Sequence, residues 1–326
     1  MRAPVDGEPA PPRHAVLLGR GDEFQATAYL RLLAVPEGLA DPRVEGTFRG
    51  PRCRHAATLP ASARLEPLPA AGAVPPAAAA VLVEPGFWSP QLPHRYELEA
   101  RLVDGGREIC RWSRMVGFRR LGIRGQSFWL ENRRWVPRAI VANNATTPLA
   151  AYRKAGACPW LPMPAASLLD EADAEGVMVV AELVDSCDDP LGALLEWAGH
   201  PSVGFAVAAP ELLAVASAAR RSLGTMLLGS AVDGASEAAE ALRGVPAAAD
   251  FVVLDLPAGG VPHDSWQSGQ PRPIVVRRRD PAHPGKRGPD RQHCDHLQAD
   301  LAGWLSRRQP AWDPAGYATG TAGAAW

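Results

Sequence analysis

Between positions 95 and 102 the chain alternates strictly between charged and apolar residues. The even positions from Tyr96 to Leu102 are apolar, whereas the odd positions from Arg95 to Arg101 are charged. A period of two is that of a β-strand with one buried and one solvated face. Similar short runs, such as 24–35 and 80–83, are separated by clusters of Pro, Gly and Ala. Residues 14–120 are therefore predicted to form a β-sandwich.

After Arg134 the hydrophobic pattern changes, and short apolar runs alternate with stretches that have the period of an α-helix. The predicted strands are 139–142, 158–161, 177–183, 203–208, 226–228, 251–256, 274–276 and, as an eighth, 317–326. The predicted helices between them are 165–174, 191–198, 210–223, 235–242 and 292–305. Repeated β/α units form a parallel sheet. Residues 121–326 are therefore predicted to form a compact (β/α)8 barrel, or TIM barrel.

The length and the net charge of the chain limit the number of domains and the kinds of partner that are expected. The 326 residues exceed the usual size of one core, so two domains are expected. The formal net charge of -1 gives no electrostatic reason for a nucleic acid or membrane partner. No apolar segment approaches the roughly 20 residues that span a bilayer, and residues 1–20 do not read as a signal peptide. Residues 1–13, which are Pro-rich and polar, are expected to be disordered, and the protein is expected to be soluble and cytoplasmic.

Cysteine spacing argues against a disulfide framework or a zinc site, because the five cysteines lie far apart without a CxxC motif. Residues 293–296 read His-Cys-Asp-His, but on a helix these neighbours point in different directions. The arginines at 277–279, with Lys286, Arg287 and Arg291, could bind phosphate or an acidic glycan, but a charge run after a strand is more commonly a solvated loop. No metal and no cofactor are expected.

Several motifs resemble glycoside hydrolase family 2, the group of β-galactosidases, β-glucuronidases and β-mannosidases. Residues 87–93 (Phe-Trp-Ser-Pro-Gln-Leu-Pro), 116–119 (Val-Gly-Phe-Arg) and 128–132 (Phe-Trp-Leu-Glu-Asn) resemble the family's passage from an immunoglobulin-like domain to the catalytic barrel. Residues 168–182 resemble the third barrel unit, and His-Pro-Ser-Val at 200–203 resembles the start of the fourth strand. The resemblance spans residues 84–211. It implies an immunoglobulin-like β-sandwich followed by the barrel, a multidomain β plus α/β protein.

The resemblance also implies where catalytic residues would lie. A retaining glycosidase uses one carboxyl group as acid/base and a second carboxylate as nucleophile, roughly 5 Å apart. The acid/base position, twelfth in the run from His200, holds Glu211, but the Asn that precedes it in the family is replaced by Pro210. The nucleophile position holds Arg278, five residues after Pro273. An arginine cannot lose its proton or attack a sugar, so retaining hydrolysis is predicted to be lost.

Other residues are expected to line the barrel mouth, because they fall at or just after predicted strand ends. The predicted binding residues are Glu182, Asn143, Asn144, Trp160, Asp185, Asp233 and Asp255. Acidic residues at strand ends also commonly cap the following helix or pair with arginine.

Three functions remain open at this point. The first is a degenerate glycosidase whose cleft binds an oligosaccharide, a glycoside or a protein partner. The second is an active glycoside hydrolase in which Glu211 acts with a relocated carboxylate, such as Asp255 or Asp233. The third is a non-catalytic scaffold. Fold alone cannot separate them.

Overall fold

The computed structural model describes residues 11–68, 75, 77–141, 147–268, 271–280 and 289–321. The chain divides into two compact units. The first contains the residues up to Arg119 together with Ala198–Pro201 and Ser222–Gly224. The second contains Arg120–Trp197, Ser202–Arg221 and the residues from Thr225 onward. Most of the segment predicted to be disordered, residues 1–10, lies outside the described residues.

The first unit is a seven-stranded antiparallel sheet with strand order β1-β2-β5-β4-β3-β6-β7. Its strands are β1 (His14–Gly21), β2 (Gln25–Leu32), β3 (Pro42–Arg52), β4 (Ala61–Pro67), β5 (Ala77–Val83), β6 (Arg95–Asp104) and β7 (Arg107–Val116). Strands β6 and β7 are joined through Gly105 and Gly106, whose φ angles of 54° and 88° suit glycine. The predicted alternation is confirmed in β6, whose even residues from Tyr96 to Leu102 are buried.

A curl in this sheet creates the core of the first unit. Strand β4 pairs with β3 through its first five residues and with β5 through Glu66 and Pro67. The two halves of the sheet consequently face one apolar cluster, in which Leu30 and Leu82 from one half join Phe48 and Leu98 from the other. Where a two-sheet sandwich was predicted, the structure has one continuous, curled antiparallel sheet.

A three-stranded hairpin unit opens the second unit. Its strands are β8 (Leu121–Arg124), β9 (Ser127–Leu130) and β10 (Arg133–Trp135), with order β10-β9-β8. Glu131 and Asn132 form the two-residue turn between β9 and β10, and both have positive φ, 48° and 60°. Two positive φ angles are the geometry of a type I′ turn, whose twist matches that of the flanking strands.

Eight parallel strands then close into the predicted barrel. They are β11 (Arg138–Val141), β12 (Cys158–Pro162), β13 (Val179–Glu182), β14 (Val203–Ala208), β15 (Leu227–Asp233), β16 (Phe251–Leu256), β17 (Ile274–Asp280) and β18 (Pro314–Thr321). Strand β18 pairs with both β17 and β11, which closes the circle. The end of the predicted eighth strand, 322–326, lies outside the described residues.

The helices around the barrel are few and mostly short. They are α1 (Leu149–Ala155), α2 (Ala166–Glu175), α3 (Pro190–Ala198), α4 (Pro210–Leu213), α5 (Ala216–Ala219), α6 (Ala238–Ala241) and α7 (Gln292–Arg308). The predicted helix 210–223 is divided into α4, α5 and a 3₁₀ turn, Arg220–Ser222. Among the described residues, no helix has the length and apolar character required to cross a membrane.

Candidate functional site at the carboxyl ends of the barrel strands

Four side chains of the second unit meet where the barrel strands end. Trp160 lies in β12, Glu182 is the last residue of β13, and Asp255 and Arg277 pair in register across β16 and β17. In a parallel barrel the carboxyl ends of the strands share one face, where catalytic groups of such barrels lie. These four residues are called the mouth cluster below. Three of them, Trp160, Glu182 and Asp255, were predicted to line the barrel mouth.

Arg277 is the centre of the mouth cluster. Its Nη1 donates to Glu182 Oε1 at 2.6 Å, and its Nη2 donates to Asp255 Oδ2 at 2.6 Å. Its Nε donates to the other oxygen of Asp255, so this ion pair is bidentate. Planar two-point contact of this kind is the strongest geometry available to an arginine–carboxylate pair. One guanidinium therefore holds both carboxylates.

Trp160 completes the cluster from a third strand. Its indole Nε1 donates to Glu182 Oε2 at 2.8 Å, while Arg277 occupies the other oxygen of that carboxylate. The Arg277 guanidinium carbon lies 4.6 Å from the centre of the Trp160 ring, which adds a cation–π contact. Each carboxylate oxygen of Glu182 and Asp255 is thus occupied as a hydrogen-bond acceptor by a group of the protein itself.

Burial and charge explain why the arginine stays protonated. The Arg277 side chain is 3% exposed, compared with 14% for Glu182 and 34% for Asp255. Burial acts to lower the pKa of Arg277, but hydrogen bonding and charge from Asp255 and then Glu182 outweigh it, so the pKa of Arg277 is raised. A buried cation is tolerated when it is paired and fully hydrogen-bonded. The cluster carries one formal positive and two formal negative charges.

Arg278, the residue predicted at the nucleophile position, lies outside the mouth cluster. Its Nη2 donates to Asp300 Oδ2 at 2.6 Å, and Asp300 belongs to α7. Successive residues of a strand point to opposite faces, so Arg277 points inward and Arg278 points toward the surrounding helix. Arg277, one residue earlier than expected, is the arginine that meets the carboxylates.

The remaining predicted residues are dispersed. Glu211 is exposed in the first turn of α4, and Asp185 is exposed after β13. Asp233 is also exposed, and it accepts from Ala235 N at 2.9 Å and from Ser236 Oγ at 2.6 Å. These contacts are those of a local turn cap. Asn143 and Asn144 lie outside the described residues.

A small cavity lies inside the barrel. Its volume is about 10 Å³, enough for roughly one water molecule. It is lined by Pro137, Ala139, Trp160, Val180, Phe205, Phe251, Val275 and Tyr317. Trp160 therefore lines this interior cavity and also belongs to the mouth cluster.

Sequence reasoning missed Arg277 because the predicted strand stopped at residue 276. The signal was nevertheless present, because Val275 and Arg277 are two residues apart on one strand and share a face. Val275 lines the interior cavity, which shows that this face is the inner one. Extending the predicted strand by one residue would have included Arg277, on the same face as Val275.

Comparisons with known proteins support the fold. No protein-family model matches this chain, and no curated protein matches it in sequence. A β-glucuronidase from Bacteroides uniformis matches in structure with 16% identity and a TM-score of 0.56, over 94% of this chain and 45% of that one. A glycosyl hydrolase family 2 member from Bacteroides cellulosilyticus matches with 15% identity and a TM-score of 0.63, over 95% of this chain and 43% of that one.

A third match is the β-glucuronidase of Bifidobacterium dentium complexed with coumarin-3-O-glucuronide. Its identity is 12% and its TM-score 0.60, over 94% of this chain and 60% of that one. The chain thus spans about half the length of these solved structures, from 43% to 60%. Its antiparallel sheet and closed eight-stranded parallel barrel give it the fold of the glycoside hydrolase family 2 β-glucuronidases.

Proposed function

We propose that this chain is a glycoside hydrolase-fold protein that binds a saccharide at the barrel mouth without hydrolysing it. The observation that carries the proposal is the mouth cluster, in which Arg277 holds Glu182 and Asp255. The immunoglobulin-like character of the first unit belongs to the same proposal. It is supported by the curled antiparallel sheet and by the structural matches, which include that unit.

The chemistry of hydrolysis explains the first half of the proposal. Hydrolysis by two carboxyl groups needs one that attacks the sugar or activates water and another that delivers a proton to the leaving group. Glu182 and Asp255 instead accept hydrogen bonds from Arg277 and Trp160 with all four oxygens. A carboxylate whose lone pairs are engaged by a buried guanidinium is poorly suited to attack an anomeric carbon.

Glu211, at the predicted acid/base position, lies outside the mouth cluster. It is exposed, and the residue before it is Pro210, which has no side-chain donor for a sugar hydroxyl. Asp233, one candidate partner, caps a local turn, and Asp255, the other, belongs to the mouth cluster. These contacts favour the degenerate glycosidase over the active one.

Saccharide binding is supported by the fold and by the polar rim. The matched B. dentium β-glucuronidase was solved with a glucuronide bound. In this chain Asp185 and Glu211 are exposed on segments that follow β13 and β14, and Asp233 is the exposed last residue of β15. All three therefore lie at or after strand ends on the face of the mouth cluster. Exposed carboxylates on this face can accept hydrogen bonds from sugar hydroxyls.

Turnover is the first half of the test. The protein is incubated at high concentration with 4-nitrophenyl β-glucuronide, β-galactoside and β-mannoside, beside Glu211→Gln and the control Glu196→Gln. Glu196 is an exposed glutamate of α3, outside the predicted site. All three proteins are expected to release no more nitrophenol than buffer. Turnover that Glu211→Gln abolishes and Glu196→Gln retains would establish the active hydrolase instead.

Binding is the second half of the test. A ligand that binds only the native state increases the free energy of unfolding by RT ln(1 + [L]/Kd) and therefore raises the Tm. A panel of glucuronides, galactosides and mannosides is expected to contain a saccharide that raises the Tm, and this rise should shrink in Asp233→Asn. If no saccharide in the panel changes the Tm and no turnover is seen, the scaffold function is favoured.

A further inference from the structure

The outer face of the three-stranded hairpin unit, β8 to β10, carries residues that the proposed function does not use. Its inner face supplies Phe128, which lies 5.0 Å from Phe205 and 5.3 Å from Phe251 between ring centres. Phe251 is the first residue of β16, so this contact is made at the amino ends of the barrel strands. Side chains alternate between faces, so Trp129 lies on the opposite, outer face. This face is therefore remote from the mouth cluster.

Two exposed arginines flank Trp129 on this face. Arg124 is in β8, and Arg134 is in β10. They are called the hairpin arginines below. Arg134 pairs directly with Trp129 across β9 and β10, and the guanidinium carbon of Arg124 lies 4.5 Å from the centre of the Trp129 ring. Two cationic side chains thus flank one aromatic ring.

The hairpin arginines are not neutralised within the described part of the chain. The acidic residue of this unit, Glu131, is bound by Arg120, whose Nη2 donates to Glu131 Oε2 at 2.6 Å. No described carboxylate forms an ion pair with either of the two hairpin arginines. Because the whole chain has a net charge of only -1, this is a local concentration of positive charge on a nearly neutral protein.

Arg124 is held in position before any ligand arrives. Its Nη2 donates to Asn132 Oδ1 at 2.6 Å, and its guanidinium plane rests on Trp129. Asn132 is itself fixed by the type I′ turn. The other N–H donors of Arg124 have no partner among the described residues, and a preorganised guanidinium loses less entropy when it binds a carboxylate or sulfate.

We propose that the hairpin arginines form a binding surface for an acidic polysaccharide, a chain that carries carboxylate or sulfate groups. The planar guanidinium matches either group with two parallel hydrogen bonds. A polysaccharide presents such groups repeatedly, so Arg124 and Arg134 can engage neighbouring groups of one ligand on the two sides of Trp129. Nucleic acid is disfavoured, because its recognition uses extended basic surfaces on proteins of strong positive charge.

The experiment measures retention on immobilised polygalacturonate and heparin as a function of salt, with neutral dextran as the matrix control. The test variant is Arg124→Ala/Arg134→Ala. The matched control is Arg243→Ala/Arg307→Ala, which removes the same charge from exposed positions elsewhere in the second unit. Circular dichroism of all proteins verifies that they are folded.

The parent and the control are expected to bind at least one acidic matrix and not dextran, whereas the test variant binds about tenfold more weakly. The slope of log affinity against log salt should fall by about two in the test variant. Retention on heparin but not on polygalacturonate would identify sulfate as the recognised group. Retention on both matrices would show that carboxylate groups are sufficient for binding. The proposal is overturned if neither acidic matrix retains the parent protein, or if the control variant loses as much affinity as the test variant. It is also overturned if the parent protein binds single-stranded DNA more tightly than either polysaccharide.

This result is separable from the function proposed for the barrel mouth. The hairpin variants leave Glu211 and Asp233 unchanged, so the saccharide-induced rise in Tm should persist in them. Loss of polysaccharide retention with an intact rise in Tm locates the two binding events on different surfaces.

Discussion

At the scale of single residues, the most consequential side chain is Arg277. Removing it leaves Glu182 and Asp255 close together, largely buried and without their shared cation. Breaking a buried ion pair by deleting one partner costs about 3 to 5 kcal/mol, mostly because the remaining charge is uncompensated. Arg277→Ala is therefore expected to lower the free energy of unfolding by about that amount, as measured by urea denaturation followed by tryptophan fluorescence.

A matched control lies in the same unit. Arg308 forms an ion pair with Asp264 in which the two side chains are 43% and 55% exposed. Exposed pairs contribute about 1 kcal/mol or less, so Arg308→Ala should change stability little. The triple variant Arg277→Met/Glu182→Gln/Asp255→Asn removes all three charges and should recover part of the loss. Equal effects of Arg277→Ala and Arg308→Ala would contradict a stabilising role for the mouth cluster.

His14 gives the first unit a pH dependence. Its ring lies 5.4 Å from the Trp112 ring, and burial, followed by the charge of Arg114, lowers the pKa of His14 although a hydrogen bond to the Pro12 carbonyl opposes this. The unfolded state, with a pKa near 6.5, then binds more protons than the native state in the window just below that pH. The contribution of His14 to the free energy of unfolding is therefore complete above pH 6.5, and it is expected to be lost as the pH drops through this window.

The measurement is urea denaturation at pH 8, 7, 6 and 5.5. His14→Phe keeps the aromatic contact with Trp112 but cannot be protonated, so its stability should change less over this range. If both proteins lose stability in parallel, other groups cause the pH dependence.

At the scale of elements, the hairpin unit depends on its inner aromatic face. Phe128 is fully buried and packs against Phe205 and Phe251, and Trp135 stacks on Phe205 at 5.8 Å. Truncating a buried phenylalanine to alanine typically costs about 3 to 5 kcal/mol. Phe128→Ala is expected to destabilise the second unit by that amount in urea denaturation. Met163→Ala, at a 38% exposed position, should cost far less.

The elements also show which information the sequence pattern contains. Strand alternation predicted β6 and its buried face, and short apolar runs predicted all eight barrel strands, because burial on one or both faces imposes these patterns. Helix 210–223 was predicted as continuous and is interrupted, since periodicity does not reveal where packing stops a helix. The contacts of Glu182 and Asp255 with Arg277 could not be predicted either, because they join β13, β16 and β17, which are distant in sequence.

The same limit applies to Arg278. The family resemblance placed it at the nucleophile position by counting residues from Pro273. Neighbouring residues of a strand point to opposite faces, so an error of one residue reverses the predicted direction of a side chain. Arg278 was therefore predicted at the barrel mouth, but it binds Asp300 of α7. The arginine that meets carboxylates inside the barrel is Arg277, which the sequence reasoning did not single out.

At the scale of the whole molecule, all five cysteines are free, and they differ in burial. Cys158 in β12 and Cys294 in α7 are buried, and burial raises the pKa of each to about 12. Only the thiolate reacts with alkylating agents, so at pH 8 roughly one thiol in 10⁴ at these positions is reactive. Cys53 and Cys187 are half-buried.

This difference predicts the order of alkylation in the intact protein. With iodoacetamide at pH 8, mass spectrometry should find label at Cys53 and Cys187 first, while Cys158 and Cys294 stay unlabelled until urea opens the barrel. Since exchange and labelling of buried groups follow opening of the structure, the labelling rate of Cys158 should rise with urea in step with global unfolding of the second unit. Rapid labelling of Cys158 in native protein, with Cys294 still protected, would instead show that β12 opens independently of α7.

In Phe128→Ala and Arg277→Ala, both buried thiols should become reactive at lower urea concentrations. This result would show that the hairpin unit and the mouth cluster both stabilise a barrel that unfolds as one cooperative unit.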